Sequence, residues 1–436
     1  MISYDRQVEE IARYFKDNEK EEEDFKIGVE FEHFIVDKDT LETISYYGAG
    51  GVEETLREML TMGWEGIYEG EHLLGLSRDG NFVALEPGSQ FELSVRPEKN
   101  IEDIKKIYFN FLDEVLSILE KKNQVLITTG YQPETKIADI KRIPKERYKY
   151  MYEYFKTRGS HAHNMMKGTG ALQTSFDYSS EEDYGKKLKV ASSLSPVMYA
   201  IFDNTFYFEQ EPQLEKRNLR SFIWENCDSD RCGIVDGALK EGFRYKDYAE
   251  YILNGPPIFI DYGKELYYTG AKKYKEIFNP EDYTMEELEH VLTMFFLDVR
   301  CKKYIEIRVF DSIPYPLNFA AIALWKGIFY NEDNLNEVYD YIEGINVEHI
   351  NKAKIDIMDK GLDANLGEDS IYEIGKKLIA ISKTGLTEDE KKYIKPLEEM
   401  INEKKTPYDI TKEKYKLGKK EALNWCIIDK NFLAVN

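Results

Sequence analysis

The sequence predicts an α+β fold built around an antiparallel sheet, in one integrated domain over residues 1–436. Several segments alternate between apolar and polar residues, as strands of a half-buried sheet do: 27–37, 81–86, 90–95, 124–130, 171–178 and 304–310. These segments are not followed one-for-one by crossover helices, which a parallel sheet would require. From about residue 334 onward the periodicity is helical and rich in charge.

The helices follow from apolar residues at helical spacing. The first is predicted at 4–18, and a second, VEETLREML, follows the glycine-rich turn at 48–51. Longer helices are predicted at 101–121, 145–157, 181–203, 284–299 and 318–330. No repeat or low-complexity linker interrupts the chain, so we expect a single domain with a helical C-terminal part from about residue 334.

The chain is strongly acidic, with a formal net charge of −22 over 436 residues. This charge repels nucleic acid backbones and anionic membrane surfaces, so we expect neither as a partner. The first residues do not form a signal-peptide pattern, and no apolar stretch reaches the roughly 20 residues needed to span a bilayer. Cys227, Cys232, Cys301 and Cys426 show no CxxC spacing and fit reduced thiols. We therefore expect a cytoplasmic protein that acts on small molecules.

Four predicted strands each place their polar side chains on one face, because alternate residues of a strand point the same way. These polar-face residues are Glu30, Glu32, Gln90, Glu92, Ser94, Gln173, Ser175, Asp177, Glu306 and Arg308. For any single strand, a solvated sheet face is the ordinary explanation. Together, however, the faces carry five acids against one arginine and no lysine. Like charges on neighbouring strands are destabilising unless a cation lies between them. Because the available ligands are hard oxygens, the pattern indicates Mg²⁺, or Mn²⁺, if these strands are neighbours.

Three arginines are candidates for binding anions. Arg308 lies two residues after Glu306, so its guanidinium would stand beside the acidic cluster and could neutralise a phosphoryl group during transfer. The alternative is a surface salt bridge between these two residues. Arg220 and Arg231 flank the segment SFIWENCDSD and could clamp a carboxylate or phosphate, although either alone is more often a surface residue.

The common motifs of other site classes are missing from the sequence. GAGG at 48–51 lacks the Gly-Lys-Ser/Thr of a P-loop, and no GxGxxG follows a predicted strand. His161 and His163 have no third ligand nearby, which favours loop histidines over a transition-metal site. No GxSxG turn supports a serine nucleophile.

Segments that carry these residues resemble, in order, the glutamate–cysteine ligase family of the plant and proteobacterial type. They are GVEFEHF, LEPGSQFELS, IPKERYKYMYEYF, MMKGTGALQTSFDYSS, SPVMYAIFDNTFYFE, RSFIWENCDSDRCG and YIEIRVFDSIP. The family's fold is similar to the catalytic half of glutamine synthetase, a curved antiparallel sheet whose concave polar face holds ATP and two or three magnesium ions. The resemblance therefore implies such a sheet here, with helices on its outer face.

The resemblance also implies roles for individual residues. By position, the metal ligands would be Glu30, Glu32, Glu86, Glu92 and Glu306. Gln173 and Ser175 would line the nucleotide and metal site, although plant-type members carry Asn where Ser175 stands. Arg308 resembles the arginine that stabilises the transferring phosphate, with Glu306 beside it as its catalytic partner. Arg220 resembles the arginine that holds the α-carboxylate of glutamate, and Arg231 is a second substrate-binding candidate.

The family's reaction has two steps and makes γ-glutamylcysteine, the first step of glutathione or related thiol synthesis. The side-chain carboxylate of glutamate takes the γ-phosphate of ATP, and the amine of cysteine then displaces phosphate. This order agrees with elementary chemistry, since a carboxylate is a poor electrophile until it carries a leaving group, and metals and arginine remove the repulsion between two anions. A γ-glutamyl ligase with another amine acceptor, a phosphagen-type kinase and a non-catalytic nucleotide- or metal-binding homologue stay open as alternatives.

Overall fold

One large antiparallel sheet organises the chain in the computed structural model, which describes residues 3–235, 237–263 and 266–435. The strands are β1 (Ile27–Asp37), β2 (Glu65–Glu69), β3 (His72–Arg78), β4 (Asn81–Leu85), β5 (Phe91–Glu98), β6 (Gln124–Ile127), β7 (Ala171–Phe176), β8 (Tyr207–Phe208), β9 (Glu211–Pro212), β10 (Phe259–Asp261), β11 (Leu266–Tyr268), β12 (Val299–Cys301), β13 (Ile305–Asp311), β14 (Asn365–Leu366), β15 (Asp369–Ser370) and β16 (Ile427–Ile428).

The main sheet has the strand order β12-β13-β7-β1-β5-β4-β3-β2, and every neighbouring pair is antiparallel. The second half of β1 also pairs with β6, and β6 pairs with β16 close to the end of the described chain. Strand β1 therefore lies at the centre of the sheet, with partners on both sides. This position brings segments from across the sequence side by side.

Helices occupy most of the remaining chain. They are α1 (Tyr4–Lys16), α2 (Val52–Leu60), α3 (Ile101–Leu119), α4 (Glu146–Phe155), α5 (Ala162–Gly168), α6 (Glu181–Ser193), α7 (Ser195–Ile201), α8 (Leu219–Glu225), α9 (Tyr245–Asn254), α10 (Met285–Thr293), α11 (Leu317–Phe329), α12 (Glu332–Tyr341), α13 (Val347–Lys360), α14 (Ile371–Gly385), α15 (Lys391–Asn402), α16 (Pro407–Lys414), α17 (Lys419–Leu423) and α18 (Lys430–Val435).

The apolar face of the sheet packs on α3 and α11. Phe31 of β1 stacks on Tyr108 of α3, with ring centroids 4.3 Å apart, and on Phe319 of α11 at 5.7 Å. Helices α14 and α15 then pack on α11, so the C-terminal helices form a further layer on this side. The helices therefore cover the apolar face of the sheet, and the polar face lies on the opposite side.

Two segments differ from the elements that the sequence predicts. The helix predicted at 284–299 ends at Thr293, and Val299 begins strand β12, because Val299–Cys301 pairs with β13. The helix predicted at 181–203 is divided into α6 and α7, since Pro196 lacks the N–H that a continuous helix needs and instead stands in the first turn of α7. The β2–β3 hairpin has no counterpart among the predicted elements.

Among the described residues, no helix combines the length and apolar character needed to cross a membrane.

A buried histidine on the apolar face gives a testable pH dependence. His33 contacts the Phe91 carbonyl through Nδ1 at 3.2 Å and the Tyr108 hydroxyl through Nε2 at 3.0 Å. Burial lowers the pKa of His33 from 6.5 to about 4. Because the unfolded chain binds this proton at a higher pH than the native chain, stability should fall as the pH drops from 6.5 towards 4. The expected loss from this residue is about 3 kcal/mol.

Urea unfolding at a series of pH values tests this expectation. His33→Gln removes the titrating group and should flatten the dependence of the free energy of unfolding on pH by close to one proton in this range. Parallel curves for the wild type and the variant would contradict it.

Candidate active site

The polar face of the sheet brings the predicted acidic residues together. Glu32 of β1 lies directly opposite Glu92 of β5, and Glu30 lies opposite Gln173 of β7 and Ser94 of β5. Strand β13 extends the same face beyond β7. The strands that carry the acidic faces are therefore neighbours, which the metal interpretation requires.

A cleft of about 290 Å³ opens over this face. Its walls come from α4, α5, α8 and the turn after β4, so acids, cations and apolar groups meet in one space. It is lined by Glu30, Glu32, Glu86, Pro87, Gln90, Glu92, Lys145, Arg147, Tyr148, Met151, Met165, Met166, Thr169, Ala171, Gln173, Arg220, Trp224, Thr293, Phe296, Arg300, Lys302 and Arg308.

Burial and, after it, mutual repulsion raise the pKa values of three carboxylates in the cleft, Glu30, Glu32 and Glu92. Glu32 accepts hydrogen bonds from the Ala171 N–H at 2.8 Å and from Gln173 Nε2 at 3.0 Å. Even so, burial and the nearby Glu86 raise the pKa of Glu32 to about 8. Burial, followed by neighbouring carboxylates, also raises the pKa values of Glu30 and Glu92. The anionic forms of these three groups are therefore disfavoured, and a cation bound beside them would stabilise them.

The donor set fits a hard divalent cation. The acids that line the cleft offer carboxylate oxygens, which Mg²⁺ prefers. The raised pKa values of Glu30, Glu32 and Glu92 indicate that positive charge would be stabilised among them. Within the described part of the chain, no group of three or more acidic, His or Cys side chains converges closely enough to hold a metal in the arrangement seen. The side chains of Glu30, Glu32, Glu86 and Glu92 would have to turn towards a common ion.

Glu306 has a different environment from the other acids. Its carboxylate is fully buried and lies 2.6 Å from Arg300 Nε, 3.4 Å from Lys302 Nζ and 3.6 Å from Arg308 Nη1. Burial alone would raise its pKa, but these cations outweigh burial and hold it below the ordinary value. Glu306 is not among the residues that line the cleft. A metal ion would compete with Arg300 and Lys302 for its oxygens.

Arg308 and Arg220 are positioned by hydrogen bonds and reach the cleft. Arg308 donates through Nη1 to Gln173 Oε1, which connects it to the Glu32 network. Arg220 is buried and donates through Nη2 to the Arg308 carbonyl at 2.9 Å. Its Nε and Nη1 atoms are buried and find no partner among the described residues. A buried guanidinium with free donors is a receptor for a carboxylate or phosphate.

Two predicted site residues lie outside this cleft. Ser175 pairs with Gly28 and Glu306 and lines a second cavity, of about 190 Å³, which shares Glu30 with the cleft. Arg231 is fully buried, donates to the Tyr154 hydroxyl and lies 3.6 Å from Asp228. The structure therefore brings Ser175 next to the cleft on the same face but does not bring Arg231 into it.

The cleft also contains cations that the sequence analysis missed. Arg300 and Lys302 occupy even-numbered positions, as Glu306 and Arg308 do, so strand alternation would place all four on one face. The sequence analysis did not apply alternation to them because it predicted a helix as far as residue 299. Lys145 and Arg147 stand at the start of α4, inside a segment that carried the family resemblance without a role for either residue.

The paired histidines are accounted for by local contacts. The ring of His163 stacks on Tyr152, with centroids 4.2 Å apart, and its Nε2 lies 3.0 Å from the Tyr152 carbonyl. His161 contacts Ser160 through Nδ1 at 2.8 Å. His163 lies within α5 and His161 directly before it, so the predicted loop setting is wrong, but these contacts give both rings partners within the protein.

Comparison with known proteins gives consistent matches. The sequence profile of glutamate–cysteine ligase family 2 matches residues 26–418. The chloroplastic glutamate–cysteine ligase of Nicotiana tabacum is 29% identical over 385 residues, covering 87% of this chain and 73% of the relative. The Arabidopsis thaliana enzyme of the same name is 27% identical over 418 residues, covering 93% and 79%. A crystal structure of glutamate–cysteine ligase from Francisella tularensis in complex with AMP superimposes with a TM-score of 0.60 at 11% identity, covering 94% of this chain and 88% of that one. This last match confirms the fold.

Proposed function

Because this chain belongs to glutamate–cysteine ligase family 2, we propose that it joins the side-chain carboxylate of glutamate to the amine of cysteine at the expense of ATP. The product is γ-glutamylcysteine, the first intermediate of glutathione or a related thiol, and residues 1–436 act as one catalytic unit. The observation that carries the proposal is the cleft itself, which is lined both by buried acids and by Arg220 and Arg308.

The geometry supports different roles for Arg220 and Arg308 in the first step. The free nitrogens of Arg220 bind the α-carboxylate of glutamate and so fix its orientation. The side-chain carboxylate then attacks the γ-phosphorus of ATP, and the bond from that phosphorus to the bridging oxygen of ADP breaks. Arg308 supplies positive charge to the transferring phosphoryl group, and Gln173 and Glu306 hold its guanidinium in place.

In the second step, the amine of cysteine attacks the carbonyl carbon of the acyl phosphate. The new C–N bond forms as the bond from this carbon to the phosphate oxygen breaks, and the amine loses a proton as inorganic phosphate leaves. Arg300 and Lys302 line the same cleft as Arg308 and keep the departing anion in a positive field.

Glu30, Glu32, Glu86 and Glu92 would hold magnesium, two or three ions in the family pattern, with manganese as a substitute. The metal would neutralise the phosphate oxygens. Glu306 stays a predicted ligand, but its contacts with three cations favour a role in holding those cations. Ser175 remains a candidate for the nucleotide site through the second cavity, whereas Arg231 gains no support as a substrate residue.

Product analysis tests the proposal directly. Purified protein is incubated with ATP, Mg²⁺ and glutamate, with and without cysteine, and phosphate release and product mass are followed. We expect cysteine-dependent phosphate release and a product with the mass of γ-glutamylcysteine, both abolished by EDTA and restored by Mg²⁺. A stable phosphorylated product, or no turnover under any condition, would refute it.

Arg220→Gln should raise the KM for glutamate by about 100-fold, because a charge-assisted bidentate contact is replaced by a neutral amide. Initial rates at varied glutamate, with ATP and cysteine saturating, measure this change. The KM for ATP should change far less. A variant in which both constants rise equally would place Arg220 with the nucleotide instead.

Expectations about partners and location rest on the sequence. We propose that the substrates are small molecules, without nucleic acid or membrane partners, and that the protein acts in the cytoplasm. The tobacco and Arabidopsis relatives are named as chloroplastic proteins.

A further inference from the structure

The helical C-terminal part contains a buried lysine that has no role in the steps above. Lys354 lies on α13, is only 4% exposed and is not among the residues that line the cleft. A buried ammonium is destabilising unless carboxylates or other acceptors pair with it. The partners of Lys354 therefore show which parts of the fold this residue holds together.

Two carboxylates from different segments pair with this ammonium. Its Nζ donates to Glu225 Oε1 at 2.6 Å and lies 2.7 Å from Asp298 Oδ2. Burial alone would lower the pKa of Lys354, but Asp298 and Glu225 outweigh burial and raise it, so the group stays charged. Glu225 is the last residue of α8, and Asp298 directly precedes β12. One charge therefore joins α13 to the helix that carries Arg220 and to the edge of the sheet.

Asp298 reaches Arg220 through the main chain of Arg308. The Arg308 N–H donates to the Asp298 carbonyl at 3.0 Å, which continues the β12–β13 ladder by one residue. In a complete antiparallel pair, the Asp298 N–H would donate back to the Arg308 carbonyl. It donates instead to the Gly233 carbonyl at 2.8 Å, and the Arg308 carbonyl accepts from Arg220 Nη2 at 2.9 Å. The position of Asp298 therefore affects the carbonyl that holds the Arg220 guanidinium.

Helix α13 also contacts the chain at the other end of α8. The Arg217 N–H donates to the Met358 carbonyl at 2.9 Å. Asn218, directly before α8, donates through Nδ2 to the Ile357 carbonyl at 3.2 Å. The carbonyls in the last turn of a helix have no partner within it, which leaves them open to such contacts. Both ends of α8 therefore rest on α13, and Arg220 lies between them.

We propose that Lys354 is a positioning residue for Arg220, the arginine assigned to the α-carboxylate of glutamate. Its ammonium holds the end of α8 against the segment before β12, and these two parts of the fold supply the backbone and the carbonyl that fix Arg220. The kinetic consequence rests on the proposed function. The described residues that line the cleft end at Arg308, so α13 acts on the glutamate site from outside the cleft.

Lys354→Met keeps the apolar stem of the side chain and leaves Asp298 buried without its cation. We expect the KM for glutamate to rise about tenfold or more, with a much smaller rise in the KM for ATP. In an Arg220→Gln background the same substitution should add less than about threefold, because the contact that it disturbs is already gone. Lys354→Arg keeps the charge and should recover part of the loss. Lys352→Met, which removes an exposed lysine paired with Asp356 on the same helix, is the matched control.

Hydrogen exchange of the ligand-free protein, followed by mass spectrometry, gives a readout that does not depend on turnover. Lys354→Met should speed the exchange of the α8 amides and leave that of the central strand β1 unchanged. Glu225→Gln is a milder variant, because the Glu225 side chain is 43% exposed and the pair between Lys354 and Asp298 stays intact. It should speed exchange in α8 and raise the KM for glutamate about threefold, even if Lys354→Met does not fold.

Equal rises in the KM values for glutamate and ATP, or faster exchange throughout the sheet, would show that Lys354 supports the fold in general and would overturn the positioning role. An unchanged KM for glutamate in both variants would overturn it as well. A wild-type protein without ligase activity would refute the proposed function, whereas faster exchange confined to α8 would still assign Lys354 to the support of Arg220.

Discussion

Replacing Arg308 by alanine is expected to lower kcat by about 10³-fold or more, with a much smaller change in the KM for ATP. The reason is the position of its guanidinium, which lines the cleft and is fixed by a hydrogen bond to Gln173 and an ion pair with Glu306. A group held in this way needs no reorganisation when charge moves onto the transferring phosphoryl group. Its loss should therefore affect the transition state more than the bound substrate.

Initial-rate kinetics at saturating glutamate, cysteine and MgATP measure this effect. Arg308→Lys keeps the charge but loses the planar fork, so it should lie between the wild type and the alanine variant. Arg13→Ala, which removes an exposed arginine paired with Glu10 on α1, should leave the rate unchanged. An Arg308→Ala enzyme within tenfold of the wild type would be incompatible with the assigned role.

The polar faces of the sheet could be predicted because strand alternation is a local property. Glu30 and Glu32 share a face for the same reason that His33 points to the core, and neither inference needs a partner strand. Which strands lie side by side is decided by pairing over long sequence distances, as between β1 and β7. Only the structure shows that Glu30 lies opposite Gln173.

The cations of the cleft were harder to predict than its acids. Arg300 lies on a three-residue strand whose preceding segment has helical spacing, and a strand that short carries too little periodicity to override that pattern. Glu86 ends the strand predicted at 81–86 but lies in the turn between β4 and β5 in the structure, and only the family resemblance assigned it to the site. For Arg231, the sequence offered either a surface residue or a substrate-binding residue, and the structure places it fully buried, outside the residues that line the cleft.

The acid–cation imbalance inferred from the strand faces needs a correction. Counting only those faces left Glu306 with one nearby arginine, which made a metal ion the main source of compensation. Strand β12 and the residue pair after it add Arg300 and Lys302. The carboxylates that still lack a neutralising cation are therefore Glu30, Glu32 and Glu92, whose pKa values are raised. Glu306, whose pKa is lowered, already has its cations.

This difference leads to a second large effect. Glu306→Gln keeps the size and some hydrogen bonds of the side chain but removes the charge that Arg300, Lys302 and Arg308 share. Leaving buried cations without their counter-charge is expected to lower the free energy of unfolding by about 3–5 kcal/mol. Activity should be lost too, because Arg308 loses one of its two supports. Urea unfolding without added metal measures the first effect, and turnover across a Mg²⁺ titration measures the second.

The two measurements together decide what Glu306 does. If it serves mainly as a metal ligand, the variant should be as stable as the wild type, and high Mg²⁺ should restore part of its activity. If it holds the cations, stability should fall in the absence of metal and Mg²⁺ should restore little. Glu98→Gln breaks a more exposed pair with Arg96, 2.6 Å apart, and should change stability by no more than about 1 kcal/mol. A much larger loss of stability in Glu306→Gln than in Glu98→Gln would show that the buried charge of Glu306 stabilises the cations of the cleft, and that removing a carboxylate elsewhere does not have the same effect.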